Sequence, residues 1–168
     1  MAGTDVLMSV YDYSARSIDG QQLSLSTWRA QALLIVNVAS RCGFTPQYSA
    51  LEALYRRFRA RGFAVLGFPC DQFGHQEPGD EAEIRAFCTT QYEVSFPLFA
   101  KIEVKGPNAH PLYRYLCESL PGLLGLKAIK WNFTKFLISP AGEPVRRFAP
   151  ADKPEGLVQA ISEQLPPG

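Results

Sequence analysis

The run Leu33-Leu34-Ile35-Val36-Asn37-Val38-Ala39 is apolar at nearly every consecutive position instead of every second one. A strand written this way must be covered on both faces, because alternation is the mark of a strand with one wet face. Phe63 to Phe68 repeats the pattern. Between the two runs the apolar period changes: Leu51, Leu54, Tyr55 and Phe58 recur at three- and four-residue spacing, which predicts a helix with one apolar face. Pro46 suits its first position with Thr45 as the cap, and Gly62 stops it.

Beyond Phe68 the chain enters a Pro- and Gly-rich loop, Pro69 to Gly79. Asp80 with Glu83 forms a capping pair for a helix that carries Ile84, Phe87 and Cys88. A short strand is expected around Leu98 to Ile102. The next helix begins near His110 and Pro111, with Leu112, Tyr113, Leu116 and Cys117 on its inner face. Phe133 to Ile138 and Val145 to Phe148 flank Pro140-Ala141-Gly142-Glu143, a hairpin signal, and Gly156 to Leu165 reads as a closing helix. Alternation first and an antiparallel hairpin last predict an α/β fold, a mixed central sheet with helices on both faces. A thioredoxin-like sandwich fits that order, as do other three-layer folds. The 168 residues contain no repeat and no linker, so a single domain spanning 1–168 is expected.

Seventeen basic and sixteen acidic residues give a net charge of +1, without the electrostatic footprint of a nucleic-acid or anionic-membrane binder. No apolar run approaches the roughly 18 residues of a membrane span. The start, Met1 to Asp5, lacks a basic region followed by an apolar stretch, so no secretory signal is read and a reducing, cytoplasmic setting is the expectation. Cysteines stand at positions 42, 70, 88 and 117, with no Cys-x-x-Cys pair and only His75 and His110 beside them. That spacing does not suit zinc, and no metal or other cofactor is expected. The thiols are either small buried hydrophobes or redox groups.

Cys42 lies between the end of a buried strand and the start of a helix, where open α/β sheets bind ligands and where helix amides favour an anion. A thiol with an ordinary pKa of about 8.5 is roughly 3% ionised at pH 7, and one lowered to about 6 is roughly 90% ionised. That gain is about thirtyfold, so an efficient thiol enzyme needs further donors where charge develops. Spacing alone fits an inert buried thiol in a turn equally well.

The surrounding sequence separates the two. Asn37-Val38-Ala39-Ser40-Arg41-Cys42-Gly43-Phe44-Thr45-Pro46-Gln47-Tyr48 resembles the segment that carries the peroxide-attacking residue in glutathione peroxidases. Gly67-Phe68-Pro69-Cys70-Asp71-Gln72-Phe73-Gly74-His75-Gln76-Glu77-Pro78-Gly79 resembles the family's second signature, and Lys130-Trp131-Asn132-Phe133-Thr134-Lys135-Phe136 its third. Gly106 to Tyr113 matches a further segment, and the blocks fall in family order over nearly the whole chain. The resemblance implies a thioredoxin-like fold and a catalytic tetrad of Cys42, Gln76, Trp131 and Asn132. An indole N–H and two side-chain amides are neutral donors, able to hold a thiolate and then a departing hydroxide or alkoxide. It also implies a resolving thiol at Cys88, whose disulfide with Cys42 protects the sulfenic acid from further oxidation. Cys88 also shares a helical face with Ile84, so a packed core cysteine is the lesser alternative. Cys70 and Cys117 are read as structural.

Two positions depart from the family pattern. Asp71 replaces a usual asparagine, and a carboxylate beside Cys42 would raise its pKa, so Asp71 is expected to point away. Glu93 stands where relatives commonly have glycine or asparagine, and a left-handed conformation there would strain the end of the Cys88 helix. Only 12 residues separate Leu116 from Ile129, without the longer insertion of tetrameric relatives. That likeness to the monomeric branch implies a monomer that takes electrons from thioredoxin or glutathione, thioredoxin being favoured. The substrate class so implied is hydroperoxides: hydrogen peroxide and organic or lipid hydroperoxides. A peroxide sensor that relays oxidation to a partner protein, and a redox-inert binding domain, are the competing readings.

Overall fold

The computed structural model describes residues 9–122 and 125–167. A four-stranded sheet forms its centre, with β3 (Ala32–Val38), β4 (Phe63–Pro69), β5 (Lys135–Ile138) and β6 (Pro144–Phe148) in the order β4-β3-β5-β6. β3 and β4 are parallel, in register from Ala32↔Phe63 to Val38↔Pro69. β5 runs antiparallel to both β3 and β6. The sheet is therefore mixed, as the sequence predicts. A separate two-stranded hairpin, β1 (Ser14–Arg16) with β2 (Gln22–Ser24), precedes it and was not anticipated.

All seven residues of β3 are buried because alternate side chains enter two different cores. Leu34, Val36 and Val38 face α1 (Gln47–Phe58), α2 (Glu81–Tyr92) and α4 (Val158–Glu163), meeting Leu51, Leu54, Ile84, Cys88 and Ile161. Leu33 and Ile35 face α3 (Pro111–Ser119), meeting Leu112, Tyr113 and Leu116. Helices thus cover both faces. The Asp80–Glu83 capping box at α2 forms in full, with Glu83 N–H on Asp80 Oδ1 at 2.9 Å and Asp80 N–H on Glu83 Oε1 at 3.1 Å.

Four expectations need correction. Thr45 does not cap α1, which begins one residue later than expected, at Gln47; its hydroxyl turns back into the preceding loop. Residues 98–102 form isolated bridges and no strand, because their amides do not keep a strand's alternation: Phe99 and Ile102, three apart, both donate to β4, at Gly67 and Pro69, while Ala100 donates to Arg16 and Lys101 to the Glu81 side chain. β5 starts at Lys135, not Phe133, because Phe133 has φ 66° and cannot extend a strand. The closing helix is a 3₁₀ turn, Pro154–Leu157, followed by α4.

Candidate active site

Cys42 sits in the turn between β3 and α1, at the carboxyl end of the central strand, 7% exposed. Its N–H donates to Thr45 Oγ1 at 2.8 Å, and that hydroxyl donates to Ala39 O at 2.8 Å. Thr45 therefore closes the loop around the cysteine. The Phe44 N–H donates to Cys42 Sγ at 3.3 Å, a contact that strengthens if the sulfur carries charge.

The loop after β4 is tied to this turn from the other side. Arg41 N–H donates to Gln76 O at 2.9 Å, and the Ser40 N–H reaches Glu77 Oε1 at 3.0 Å. Within the loop Gly74 has φ 68° and His75 φ 52°, which folds the chain back sharply. A Cβ at Gly74 would stand 3.2 Å from the Trp131 ring and 3.6 Å from the Gln76 side chain. Trp131 and Gln76 thus crowd the same glycine, and only its missing side chain lets them close over it.

Trp131 and Asn132 are delivered by the segment that leads into β5. Asn37, a fully buried polar residue in an otherwise apolar strand, holds that segment. Its Nδ2 donates to Trp131 O at 3.2 Å, its Oδ1 accepts Thr134 N–H at 3.1 Å, and its carbonyl accepts Phe133 N–H at 2.7 Å. Asn132, also fully buried, donates through Nδ2 to Gln76 Oε1 at 3.1 Å and to Phe73 O at 3.5 Å. Its Oδ1 is buried without a hydrogen-bond partner. Trp131 packs on Phe73 at 5.9 Å and lies against the core cluster that contains Cys42.

Gln76 and Trp131 therefore meet at Gly74, Asn132 joins them through its bond to Gln76, and the Cys42 turn is bonded directly to Gln76 through the backbone. The two amide side chains bond each other, while Sγ accepts the Phe44 amide. Asn37 and Glu77 were given no role from sequence. For Asn37 the legible signal was a lone amide inside a run that buries both faces.

Cys88 is fully buried on the inner face of α2. Burial pushes its thiol up to about 11, which the Tyr48 hydroxyl beside it opposes and the charge of Glu77 reinforces. Tyr48, on the first turn of α1, packs at a tilt 5.5 Å from Tyr92 and meets Phe133 edge-on at 5.5 Å, so α1, α2 and the Trp131 segment converge on one ring. Cys70 is fully buried and pushed up to about 11 by burial; Cys117 is raised by burial on α3. All four thiols are free. Both Asp71 oxygens are engaged inside their own loop, by Glu77 N–H at 2.9 Å and His75 Nδ1 at 3.3 Å. Partial burial would raise that carboxyl, but these two donors outweigh it and hold it below the ordinary range. Glu93 closes α2 with φ 51° and ψ 39°, the left-handed conformation expected from its place.

Among the described residues no cluster of His, Cys, Asp and Glu is placed to hold a metal ion, and no helix is long and apolar enough to cross a membrane. The profile of the glutathione peroxidase family matches residues 10–117. The hydroperoxy fatty acid reductase gpx1 of Synechocystis sp. is 51% identical over 162 residues, covering 94% of this chain and 96% of that protein. The glutathione peroxidase-like peroxiredoxin 2 of Saccharomyces cerevisiae is 48% identical, covering 94% and 97%. The crystal structure of Trgpx in its apo form superimposes with a TM-score of 0.80 at 39% identity, over 94% of this chain and 95% of that one. A thioredoxin family protein from Chlorobium tepidum, 14% identical, shares the fold over 90% of this chain and 92% of its own, with a TM-score of 0.68. The chain belongs to the glutathione peroxidase family and is a peroxidase built on the thioredoxin-like fold.

Proposed function

We propose that the chain reduces hydroperoxides through Cys42, with Gln76, Trp131 and Asn132 as the donors of its tetrad and Cys88 as the resolving thiol. The Cys42 thiolate attacks one peroxide oxygen. The O–O bond breaks, and the other oxygen leaves as hydroxide or alkoxide and takes a proton to become water or an alcohol. Cys42 is left as a sulfenic acid. Cys88 sulfur then attacks Cys42 sulfur, the S–O bond breaks and water departs with the Cys88 proton. An external dithiol reduces the disulfide by exchange.

The observation that carries this reading is that Gln76 and Trp131 meet at Gly74, with Asn132 bonded to Gln76 and Gln76 tied to the turn of Cys42. Neutral donors aimed at developing charge in a water-poor site are worth about 2.7–4 kcal/mol each. Beside Cys42 a shallow depression of about 280 Å³ is lined by Gly43, Phe44, Pro46, Ala50 and Lys153 among others. Its apolar atoms suit the chain of an organic or lipid hydroperoxide, in keeping with the name of the Synechocystis relative.

Cys88 is fully buried in the body of α2, so that helix must open before the two sulfurs meet. The left-handed Glu93 at its end lowers the stability of that helix terminus. The same reading has the chain acting as one domain and as a monomer, in a reducing cytoplasmic compartment, with thioredoxin favoured over glutathione as reductant.

Peroxide consumption is the test, with thioredoxin or glutathione as the sole electron donor. Cys42→Ser abolishes turnover, and Cys88→Ser consumes one equivalent of peroxide but does not cycle with thioredoxin. Sustained thioredoxin-driven turnover by Cys88→Ser would remove Cys88 from the mechanism, and activity in Cys42→Ser would remove Cys42. Trapping of a partner protein as a mixed disulfide, with negligible turnover, would favour the sensor reading instead.

A further inference from the structure

Glu77 is 1% exposed and plays no part in the chemistry set out above. Carboxyl groups are rarely so buried unless paired. Its Oε1 accepts both the N–H and the hydroxyl of Ser40, two residues before Cys42. Its Oε2 is buried with no hydrogen-bond partner. A cavity of about 210 Å³ lies beside it, lined by Ser40, Arg41, Gly79, Ile84 and Phe87. That cavity separates the turn of Cys42 from the first turns of α2, the helix of Cys88. Glu77 therefore stands between the two sulfur-bearing segments, with one oxygen fastened to Ser40 and the other buried without a partner.

The groups that face it come from every neighbouring element. Arg41 lies in the Cys42 turn, Tyr48 on α1, Asp71 in its own loop, Glu83 and Cys88 on α2, and Lys101 beyond α2. Burial dominates their sum. It raises the carboxyl to about 7, against the two Ser40 bonds and the charge of Lys101, which lower it.

We infer that Glu77 is a positioning residue for disulfide formation: uncharged, it keeps the Cys42 turn closed against α2, and ionised, it draws water into the cavity and releases the helix that carries Cys88. This rests on the Cys42–Cys88 reading. The sign follows from linkage. A carboxyl raised in the closed form and solvated in the open one binds more protons when closed, so rising pH favours opening until the closed form is itself ionised. The disulfide step should therefore accelerate up to about pH 7 and then lose this contribution to its slope.

The test uses the full-length reduced protein, mixed with excess hydrogen peroxide, acid-quenched and resolved by mass. The rate of disulfide formation is expressed relative to the rate of Cys42 oxidation in the same protein. Relative to Glu77→Gln, wild type should gain about 40-fold in this ratio between pH 5 and pH 7, the size expected of one carboxyl held at about 7 when closed and at 4.5 when open. Glu77→Gln keeps an oxygen acceptor for Ser40 but no ionisation, and should retain only the rise that the ionisation of the Cys88 thiol itself produces over that range. Ser40→Ala removes a bond that lowers the Glu77 carboxyl, and should move the inflection to higher pH. A His75→Gln control should retain the wild-type profile. Equal slopes in wild type and Glu77→Gln would overturn the inference, as would an unmoved inflection in Ser40→Ala. Failure of wild type to form any Cys42–Cys88 disulfide at any pH would instead overturn the reading on which it rests.

Discussion

Asn132 Nδ2 donates to Gln76 Oε1 at 3.1 Å, although the two residues lie 56 positions apart. The bond joins the loop after β4 to the segment before β5, so neither amide is oriented by its own element alone. Each aims the other.

Asn132→Ala removes that orientation; the Asn132 N–H groups are themselves spent on Gln76 and Phe73, so the donor the site loses is the misaimed Gln76 amide. The rate of Cys42 oxidation by peroxide should fall by about 10²-fold, the usual loss for one donor at developing charge. Stopped-flow measurement under excess peroxide checks it, and an unchanged rate would exclude Asn132 from the site.

Gly74→Ala acts on the same cluster without touching a donor. The new methyl would stand 3.2 Å from the Trp131 ring, at a residue with φ 68°. The left-handed conformation alone costs about 1–2 kcal/mol for a residue with a Cβ. Displacement of the indole should lower the oxidation rate as well, while Gly20→Ala, with φ 92° and open space around it, should lower stability only. Equal effects of the two variants on rate would refute the account.

Glu93→Gly relieves strain at the end of α2. The relief of about 1–2 kcal/mol outweighs the roughly 0.5–1 kcal/mol that glycine loses through its freer unfolded chain. Thermal unfolding should therefore move upward slightly, and Cys42–Cys88 disulfide formation should slow. A faster disulfide step in a more stable variant would separate helix strain from Cys88 release.

Lys135 is fully buried on β5, and its Nζ donates to Asp152 O at 2.6 Å, Pro150 O at 3.1 Å and Ala149 O at 3.4 Å. Pro150 O also accepts Gln47 Nε2 at 2.8 Å, so this clamp braces the first turn of α1 behind Cys42. Lys135→Met should cost about 2 kcal/mol at pH 7, from carbonyls left without their charged donor. Burial lowers the Lys135 ammonium to about 8 from 10.5, which the charge of Asp152 resists. Between those values the unfolded chain holds the extra proton, so wild-type stability gains from Lys135 as pH rises from about 8 to 10.5. Urea unfolding across that range should show the gain in wild type and not in Lys135→Met.

Local order was legible wherever the signal was local. The runs around Val36 and Val65 declare doubly covered strands because every position is apolar, and Asp80 with Glu83 declares a helix start because both bonds of the box close within four residues. Cys42, Gln76, Trp131 and Asn132 were legible as blocks of family sequence, and Glu93 as a departure from one. The hairpin of β1 and β2 was not legible: its strands are three residues each, too short for a period to appear. Residues 98–102 and Thr45 were misread because each had a partner outside its own segment that outcompeted the local choice.

By itself, then, the sequence determined the long strands and helices of the core, that the sheet is mixed and covered on both faces, and which side chains are candidates for the chemistry. Only the tertiary structure decided how those side chains meet. Asn37 grips the Trp131 segment across 94 residues, and Glu77 fastens Ser40 across 37, because the order β4-β3-β5-β6 brings both loops to the same end of β3. Hydrogen bonds of that kind depend on which strands become neighbours, a choice made by burial of the whole sheet between its helices and not by the period of any one segment.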